Sequence, residues 1–420
     1  MESEQKKRGR EMAVRTRKVG ANRRFFTAVQ HTVGRVILKR FRVRTENLEL
    51  LTRTPPPFLI LANHVSNWDP LFLSSLAPQP VHHVTSDAQF RNPLMEKVLY
   101  LLGSIPKSKS RSDLDAVKSI FRIRETGGII GLFPEGQRTW NGETLPILYP
   151  TAKLLKTLKI PVITAVIQGA YLSAPRWGRR RRLGPVSIRF GKGPDPEELR
   201  ELDVPSLHRR MTELLEYNEF ENQRQTETVF RSLAGAEYLE RALFLCPQCR
   251  SLGTLRSSRG SFRCGSCGYG VRFTSRGLFT PLGEAAIFPD IALWDRWQRT
   301  EFRKMLQTMD RRESREPGTG EEAPFFFEDR IRLRTLGKTG RMKNLGTGRA
   351  GIRGGQVELV FSRGGTLNFP LARMDGINVQ TGERLEFYQE NQLFQFKFTS
   401  PRSSAYKWLL ALQFLKEESA

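Results

Sequence analysis

No apolar run in this sequence approaches the roughly 18 residues that a membrane-spanning helix requires. The basic start is not followed by an apolar stretch either, so no secretory signal is expected. Cysteine is scarce, with 4 in 420 residues, all between positions 246 and 267; this excludes a disulfide framework over the rest of the chain. No internal repeat is found, which excludes a solenoid. Acidic residues are few, 43 against 68 Lys and Arg, giving a formal net charge of +25. Such a surplus calls for a polyanionic partner, either nucleic acid or the anionic face of a membrane. What is present is globular in kind: 39% hydrophobic and 26% charged residues. The length accommodates about two to four domains.

Along the chain, residues 1–24 are rich in Lys and Arg with few apolar residues and read as a disordered basic arm. From Phe25, the residues Phe26, Val29, Val33, Val36 and Ile37 recur at helical spacing beside Arg35, Lys39 and Arg40. This predicts an amphipathic basic helix, packed on the following domain or lying on a membrane surface. Short apolar runs at Phe58–Ala62, Ile129–Phe133 and Val162–Ile167, with weaker ones at 81–85 and 186–190, alternate with helical patterns at 93–102, 114–126 and 151–158. Buried strands alternating with helices predict an α/β domain over 25–220, with a mostly parallel sheet flanked by helices. Residues 221–309 read as a helical segment with a cysteine module, 246–267. Residues 310–324 are charged and Pro/Gly-containing, and read as a linker. In 325–420, two-residue alternation between Gly-rich turns is followed by a helical stripe of Ala405, Trp408, Leu409, Leu412 and Leu415. That pattern resembles a pleckstrin-homology-like domain, a small β-barrel with a capping helix.

Two polar clusters follow strand-like runs: Asn63-His64-Val65-Ser66-Asn67-Trp68-Asp69-Pro70 and Phe133-Pro134-Glu135-Gly136-Gln137-Arg138-Thr139. His64 at the carboxyl end of a buried strand stands where open α/β sheets do chemistry, and imidazole suits a general base. Asp69, five residues on, is placed to orient that ring and stabilise an imidazolium, and Asp69-Pro70 is also a helix-start signal, with Asp69 as the cap and Pro70 at the first helical position. Ser66 reads as a brace for the turn. Gly136 permits a close backbone approach, and Arg138 offers a planar fork for a phosphate.

Together these segments resemble the glycerolipid (1-acylglycerol-3-phosphate) O-acyltransferase family, over roughly residues 20–220. The resemblance implies His64 as the base with Asp69 as its partner, and an acceptor-binding role for Glu135, Gly136 and Arg138. The family's second motif usually carries Thr and Ser where Gln137 and Thr139 stand here. The stretch Gly103–Arg111 resembles the family's middle block, whose arginine contacts the acceptor's phosphate; that place falls on Lys109, with Lys107 and Arg111 two residues either side. A cation is kept, but bidentate geometry is not unless Arg111 supplies it. Arg176 and Arg179–Arg182 form a dense basic run, read as a solvated loop or as attraction to anionic lipid.

Cys246-Pro-Gln-Cys249 and Cys264-Gly-Ser-Cys267 are two Cys-x-x-Cys knuckles about fifteen residues apart. This spacing fits structural Zn²⁺ held by four thiolates. Two disulfides are the alternative, and a redox pair fits poorly because neither knuckle opens a helix. The module resembles ribbons fused to bacterial acyltransferases, which implies a scaffold; nucleic acid is not expected as its partner. The resemblance as a whole implies acylation of the free hydroxyl of 1-acyl-sn-glycerol 3-phosphate to give phosphatidic acid. The donor would be acyl-CoA or acyl carrier protein, with a lysophospholipid acceptor and an anionic membrane surface as partners. The expected location is cytoplasmic, peripheral on the inner face of the membrane. The alternative is a lipid- or nucleic-acid-binding adaptor on an inactive scaffold. Oligomeric state is not legible.

Overall fold

The computed structural model describes residues 20–107, 113–315, 327–337, 340–380 and 383–418. They divide into two compact units, one within Met1–Thr139, Glu143–Ser173 and Gly184–Glu219, the other within Trp140–Gly142, Ala174–Leu183 and Phe220–Ala420.

The first unit is organised by a seven-stranded sheet in the order β1-β7-β6-β2-β5-β3-β4. Its strands are β1 (Arg44–Glu46), β2 (Phe58–Ala62), β3 (Val81–Ser86), β4 (Ile105–Lys107), β5 (Ile129–Leu132), β6 (Val162–Gln168) and β7 (Ser187–Lys192). β2 through β6 run parallel, while β7 is antiparallel to β6 and β1 runs with β7. Every residue of β2 is buried, as expected of a central strand covered on both faces.

Preceding the sheet, α1 (Arg23–Val29) and α2 (Arg35–Arg40) are joined by a π turn at Gln30–Gly34. The helical signal from Phe25 is therefore present but interrupted, and it begins inside the expected basic arm because Asn22 caps the Phe25 N–H at 3.0 Å. The other helices used below are α3 (Asp69–Leu76), α4 (Pro93–Leu101), α5 (Leu114–Glu125), α6 (Tyr149–Leu158) and α7 (Val204–Leu215). Ala116, Ile120 and Ile123 of α5, Ala152, Leu155 and Leu158 of α6, and Leu207, Met211 and Leu215 of α7 recur at three- and four-residue spacing. They form one core with Leu59, Leu61, Ile130 and Val162 of the sheet. That core fixes where each strand ends, and hence where the polar clusters emerge.

The second unit holds a small antiparallel sheet, order β11-β10-β9-β8, and a half-barrel of seven antiparallel strands. The small sheet comprises β8 (Leu255–Ser258), β9 (Ser261–Cys264), β10 (Gly270–Phe273) and β11 (Phe279–Pro281). Two long helices of this unit are α8 (Ile291–Arg315) and α9 (Ala405–Glu418). Fully buried Trp294 of α8 packs its ring on Phe262 and Phe279, each at 5.6 Å, and donates its indole N–H to the Leu245 carbonyl at 3.0 Å. From α9, the Tyr406 hydroxyl reaches Asp295 of α8 at 3.1 Å. α8 continues to Arg315, so the first six residues of the expected linker are helical, and the helix-breaking Pro317-Gly318 comes later in the sequence. The rest of that linker lies outside the described residues.

The reading of the basic run, Arg176 and Arg179–Arg182, is corrected at its two ends. Arg176 is buried over the Trp140 ring at 4.2 Å and donates to the Val379 carbonyl at 2.6 Å. Arg182 is buried between Trp177 and Phe273, at 4.8 and 4.6 Å. Guanidinium planes stack on aromatic faces and remain hydrogen-bonded when buried, which a count of charges in sequence does not register. Only Arg179 and Arg180 of the run are exposed.

Candidate active site

β2 ends at Ala62, and the next residue, Asn63, locks the start of the following turn to β6. Its Nδ2 donates to the Ile167 carbonyl at 3.1 Å, and its Oδ1 accepts the Ile167 N–H at 2.7 Å. The chain then turns, and His64 Nδ1 meets Asp69 Oδ2 at 2.9 Å. Asp69 is fully buried, and His64 keeps a side-chain exposure of 20%, so the ring faces solvent while its partner does not.

Asp69 is the hub of this turn. Oδ2 also accepts the N–H groups of Val65 and Ser66, both at 2.8 Å, and Oδ1 accepts the Ser66 hydroxyl at 2.5 Å. The Ser66 oxygen in turn accepts the Trp68 N–H at 3.1 Å. Ser66 is thus buried and engaged as a brace, as its sequence position suggested. The capping role expected of Asp69 is not observed: Trp68 occupies the cap position of α3, and the Asp69 carboxylate turns back to the preceding loop. Pro70 does sit in the first turn. A carboxylate held by two backbone donors and a hydroxyl has its orientation fixed before it meets the imidazole. With Nδ1–H donated to Asp69, the ring's basic lone pair is on Nε2, the arrangement of a general base.

The second cluster joins the first through the backbone. Glu135 Oε1 accepts the His64 N–H at 2.6 Å, Oε2 accepts the Leu145 N–H at 2.8 Å, and the Thr139 N–H donates to the His64 carbonyl at 3.0 Å. Both peptide groups of His64 are therefore pinned by the loop after β5. Glu135 is buried, and burial pushes its carboxyl up to about 8, against the opposing pull of the two backbone donors. Gly136 has φ +68°, and a Cβ there would lie 2.9 Å from Leu148 Cδ1. Arg138 is half-buried in this loop, one residue before the Thr139 that touches His64. Lys107 ends β4, while Lys109 and Arg111 lie outside the described residues.

One part of the site could not be read from the motifs. Phe133 stacks under His64, with ring centroids 4.3 Å apart and planes at 25°, and His83 of β3 lies on the far side of Phe133 at 5.9 Å and 17°. His83 Nε2 bonds Ser74 Oγ at 3.0 Å, and Ser74 belongs to α3, the helix that Asp69 opens. Burial depresses His83 to about 3, so a neutral ring supports the stack. The adjacent Gly131 is required there, since its Cβ would fall 2.3 Å from His83 Nδ1. A His-Phe-His sandwich across β2, β5 and β3 is a long-range arrangement with no local spacing signal.

Residues 42–168 match the Acyltransferase family model. The match covers both clusters described above. Among curated proteins, a 1-acyl-sn-glycerol-3-phosphate acyltransferase of Limnanthes alba is 24% identical over 164 residues, 38% of this chain and 58% of that protein. One of Bacillus subtilis (strain 168) is 25% identical over 114 residues, 27% of this chain and 56% of that protein. The chain spans about half the length of the curated relatives it matches. A crystal structure described as the 1-acyl-sn-glycerophosphate (LPA) acyltransferase PlsC from Thermotoga maritima aligns with a TM-score of 0.40 at 18% identity, covering 45% of this chain and 76% of that one. Within the matched segment, His64, Asp69, Glu135, Gly136 and Arg138 are brought into one neighbourhood.

Away from this segment, the four cysteine sulfurs lie within 4.8 Å of one another. Cys246 and Cys267 are 3.7 Å apart, as are Cys249 and Cys264, and no disulfide joins them. Four thiolates about 2.3 Å from a tetrahedral Zn²⁺ would stand about 3.8 Å apart, so the residues present fit that ion.

Proposed function

We propose that this chain is an O-acyltransferase that moves a fatty acyl group from a thioester donor to the free hydroxyl of 1-acyl-sn-glycerol 3-phosphate, giving phosphatidic acid. The observation that carries the reading is the His64–Asp69 pair at 2.9 Å, held at the end of β2 by the loop that carries Glu135 and Arg138. His64 Nε2 takes the hydroxyl proton as that oxygen bonds to the thioester carbon; Asp69 stabilises the imidazolium. Collapse of the tetrahedral intermediate breaks the C–S bond, and the imidazolium returns its proton to the departing thiolate. The products are an ester and a free thiol.

Arg138 is the cation of this loop suited to the acceptor's phosphate, with Lys107 at the end of β4 as a second. Glu135, facing two backbone donors, acts on the acceptor only through the position it gives His64. The purified protein, given 1-acylglycerol 3-phosphate and either acyl-CoA or acyl-acyl carrier protein, should form phosphatidic acid. Vesicle and DNA binding measured in parallel test the adaptor alternative, which predicts binding with background acylation from both donors.

We assign a structural Zn²⁺ to Cys246, Cys249, Cys264 and Cys267, with the ribbon as a scaffold. Elemental analysis should give one zinc per chain. Chelation should lower the thermal midpoint of the second unit, because ligand-site free energy is folding free energy. A zinc-free protein with an unchanged midpoint would reject the assignment. The seven antiparallel strands and α9 support the pleckstrin-homology-like reading of 325–420.

The location we propose is peripheral, on the cytoplasmic face of a membrane. No described helix is long and apolar enough to cross one. The N-terminal helices contribute less inserted surface than their sequence implies: Phe26 and Ile37 are buried in the first unit, and only Val33 and Val36 are exposed among the large apolar residues of that stretch. Gln30 also donates to the Ala77 carbonyl at 2.8 Å, and Gly34 lets α2 approach Ser75 closely.

A further inference from the structure

Helix first turns ordinarily carry polar and acidic side chains, which satisfy unpaired N–H groups and suit the positive end of the helix dipole. Four helices of the first unit also expose large apolar side chains at or beside their first turns. β2, β3, β4 and β5 are parallel, so the segments that leave their carboxyl ends emerge on one edge of the sheet, the edge that carries His64. On that edge α3 is preceded by exposed Trp68, and α4 exposes Leu94 and Met95. α5 opens with exposed Leu114, and α6 with exposed Leu148 and Tyr149. Leu94 and Leu114 are 75% and 72% exposed, values that leave them without a packing role in the unit. Among the described residues of this unit, the other exposed large apolar side chains are Val117, in the turn begun by Leu114, and Val33 and Val36 near the amino terminus. Apolar exposure is therefore concentrated at the catalytic end. Grouped exposed apolar surface of this kind marks an interaction site.

Two of these residues are built directly on the reactive loops. The Trp68 N–H is held by Ser66, which is held by Asp69. The Leu148 N–H donates to the Pro134 carbonyl at 2.9 Å, beside Glu135. The same edge carries the cations Lys107, Arg138 and Lys153; Lys153 lies over the Tyr149 ring at 5.5 Å. Of the carboxylates at these first turns, Asp113 caps α5 through the Ala116 N–H at 3.0 Å, Asp115 pairs with Lys118 at 3.9 Å, and Glu96 follows Met95 in α4. Aliphatic residues projecting from turns, with Trp, Tyr and Lys among them, match a phospholipid headgroup layer over its acyl boundary. A second copy of this chain would instead bring like charges together.

We infer that the His64 edge of the first unit docks on a phospholipid bilayer through Trp68, Leu94, Met95, Leu114, Leu148 and Tyr149, so that the reactive loops open into the lipid surface. This deepens the acyltransferase reading and rests on it for the nature of the substrate. Binding here is by apolar insertion, so it survives high salt and does not require anionic lipid.

The test compares the full chain with Leu94→Glu/Leu114→Glu and with Leu94→Phe/Leu114→Phe. Sedimentation with vesicles of phosphatidylcholine alone is measured at high salt, beside acylation of a short-chain, micelle-free lysophosphatidate. The Glu pair should weaken vesicle binding by about tenfold or more with thermal midpoint and soluble-substrate turnover unchanged. The Phe pair should bind at least as well as the parent chain. Unchanged vesicle binding in the Glu pair overturns the inference. So does a change in oligomeric state at constant vesicle affinity, which would make a second copy the occupant. If the parent chain binds and the Glu pair does not, yet no variant acylates either acceptor, docking stands and the acyltransferase reading fails.

Discussion

His64→Ala is expected to reduce kcat/KM for acylation by a factor of about 10²–10⁴, the usual contribution of a positioned general base. The fold should be retained, because the contacts that hold this residue in place are made by its backbone: N–H to Glu135 and carbonyl to Thr139. Asp69→Asn should be less damaging than His64→Ala. An amide oxygen can replace Oδ2 as acceptor of the ring and the two backbone N–H groups, and Ser66 can rotate to accept from the amide nitrogen. What is lost is the negative charge opposite the imidazolium. Asp69→Ala is a different experiment, since it strands the N–H groups of Val65 and Ser66, at a cost of about 1–3 kcal/mol for each donor left unsatisfied. Thermal melts beside initial rates separate the two effects. Full activity in His64→Ala would remove the proposed mechanism.

Glu135→Ala should also be strongly destabilising. It leaves two N–H groups, of His64 and Leu145, without their acceptor in a buried site, again about 1–3 kcal/mol each. Glu135→Gln keeps one acceptor and should lie between Ala and the parent. The pH dependence has a definite sign. An acid whose folded pKa is about 8 against an unfolded value of 4.5 holds its proton more tightly when folded. Its contribution is fully present below about pH 4.5 and is lost as pH rises through about 8. Glu219, also buried, with both oxygens accepting the Gly169 N–H at 3.0 Å, is pushed up to about 8 and acts in the same direction. Denaturant melts from pH 5 to 9 should therefore show a loss of stability toward alkaline pH that Glu135→Gln makes shallower. An unchanged slope in that variant would assign the effect elsewhere.

The strands flanking the site were legible because each is a short, continuous apolar run, and the helices because their apolar residues repeat at three or four. β2 and α4 begin at the residues the pattern indicates. β4 was not recognised as a strand, since three residues with a central proline carry too little periodicity and gain their ladder only by lying beside β3. The His64–Asp69 contact followed from spacing and resemblance. The direction of the Asp69 carboxylate did not, because a cap and a back-turned brace have the same sequence. Glu135 read as an acceptor ligand from its motif, while the structure turns both its oxygens to backbone donors. The Phe133 stack joins residues whose neighbours in sequence say nothing of each other. In the half-barrel, the alternation of Val357/Leu359/Phe361, Leu385/Phe387 and Leu393/Phe394/Phe396/Phe398 marks the strands Gln356–Phe361, Arg384–Gln389 and Gln392–Phe398, whereas Met342–Arg353 is hidden by its glycines.

The interleaving of the two units along the chain has a practical consequence. Trp140 stacks with Tyr406 at 4.8 Å, and Trp177 has Phe273 as an edge-on neighbour at 6.1 Å. Both tryptophans come from short segments embedded in the sequence of the first unit, yet both belong to the second. A shortened chain ending at Glu219 would keep these two rings and discard the residues that shelter them. Such a fragment would present two large aromatic surfaces to water and should precipitate on expression. Recovering the first unit alone thus calls for replacing Trp140 and Trp177 with polar residues as well as choosing an end point.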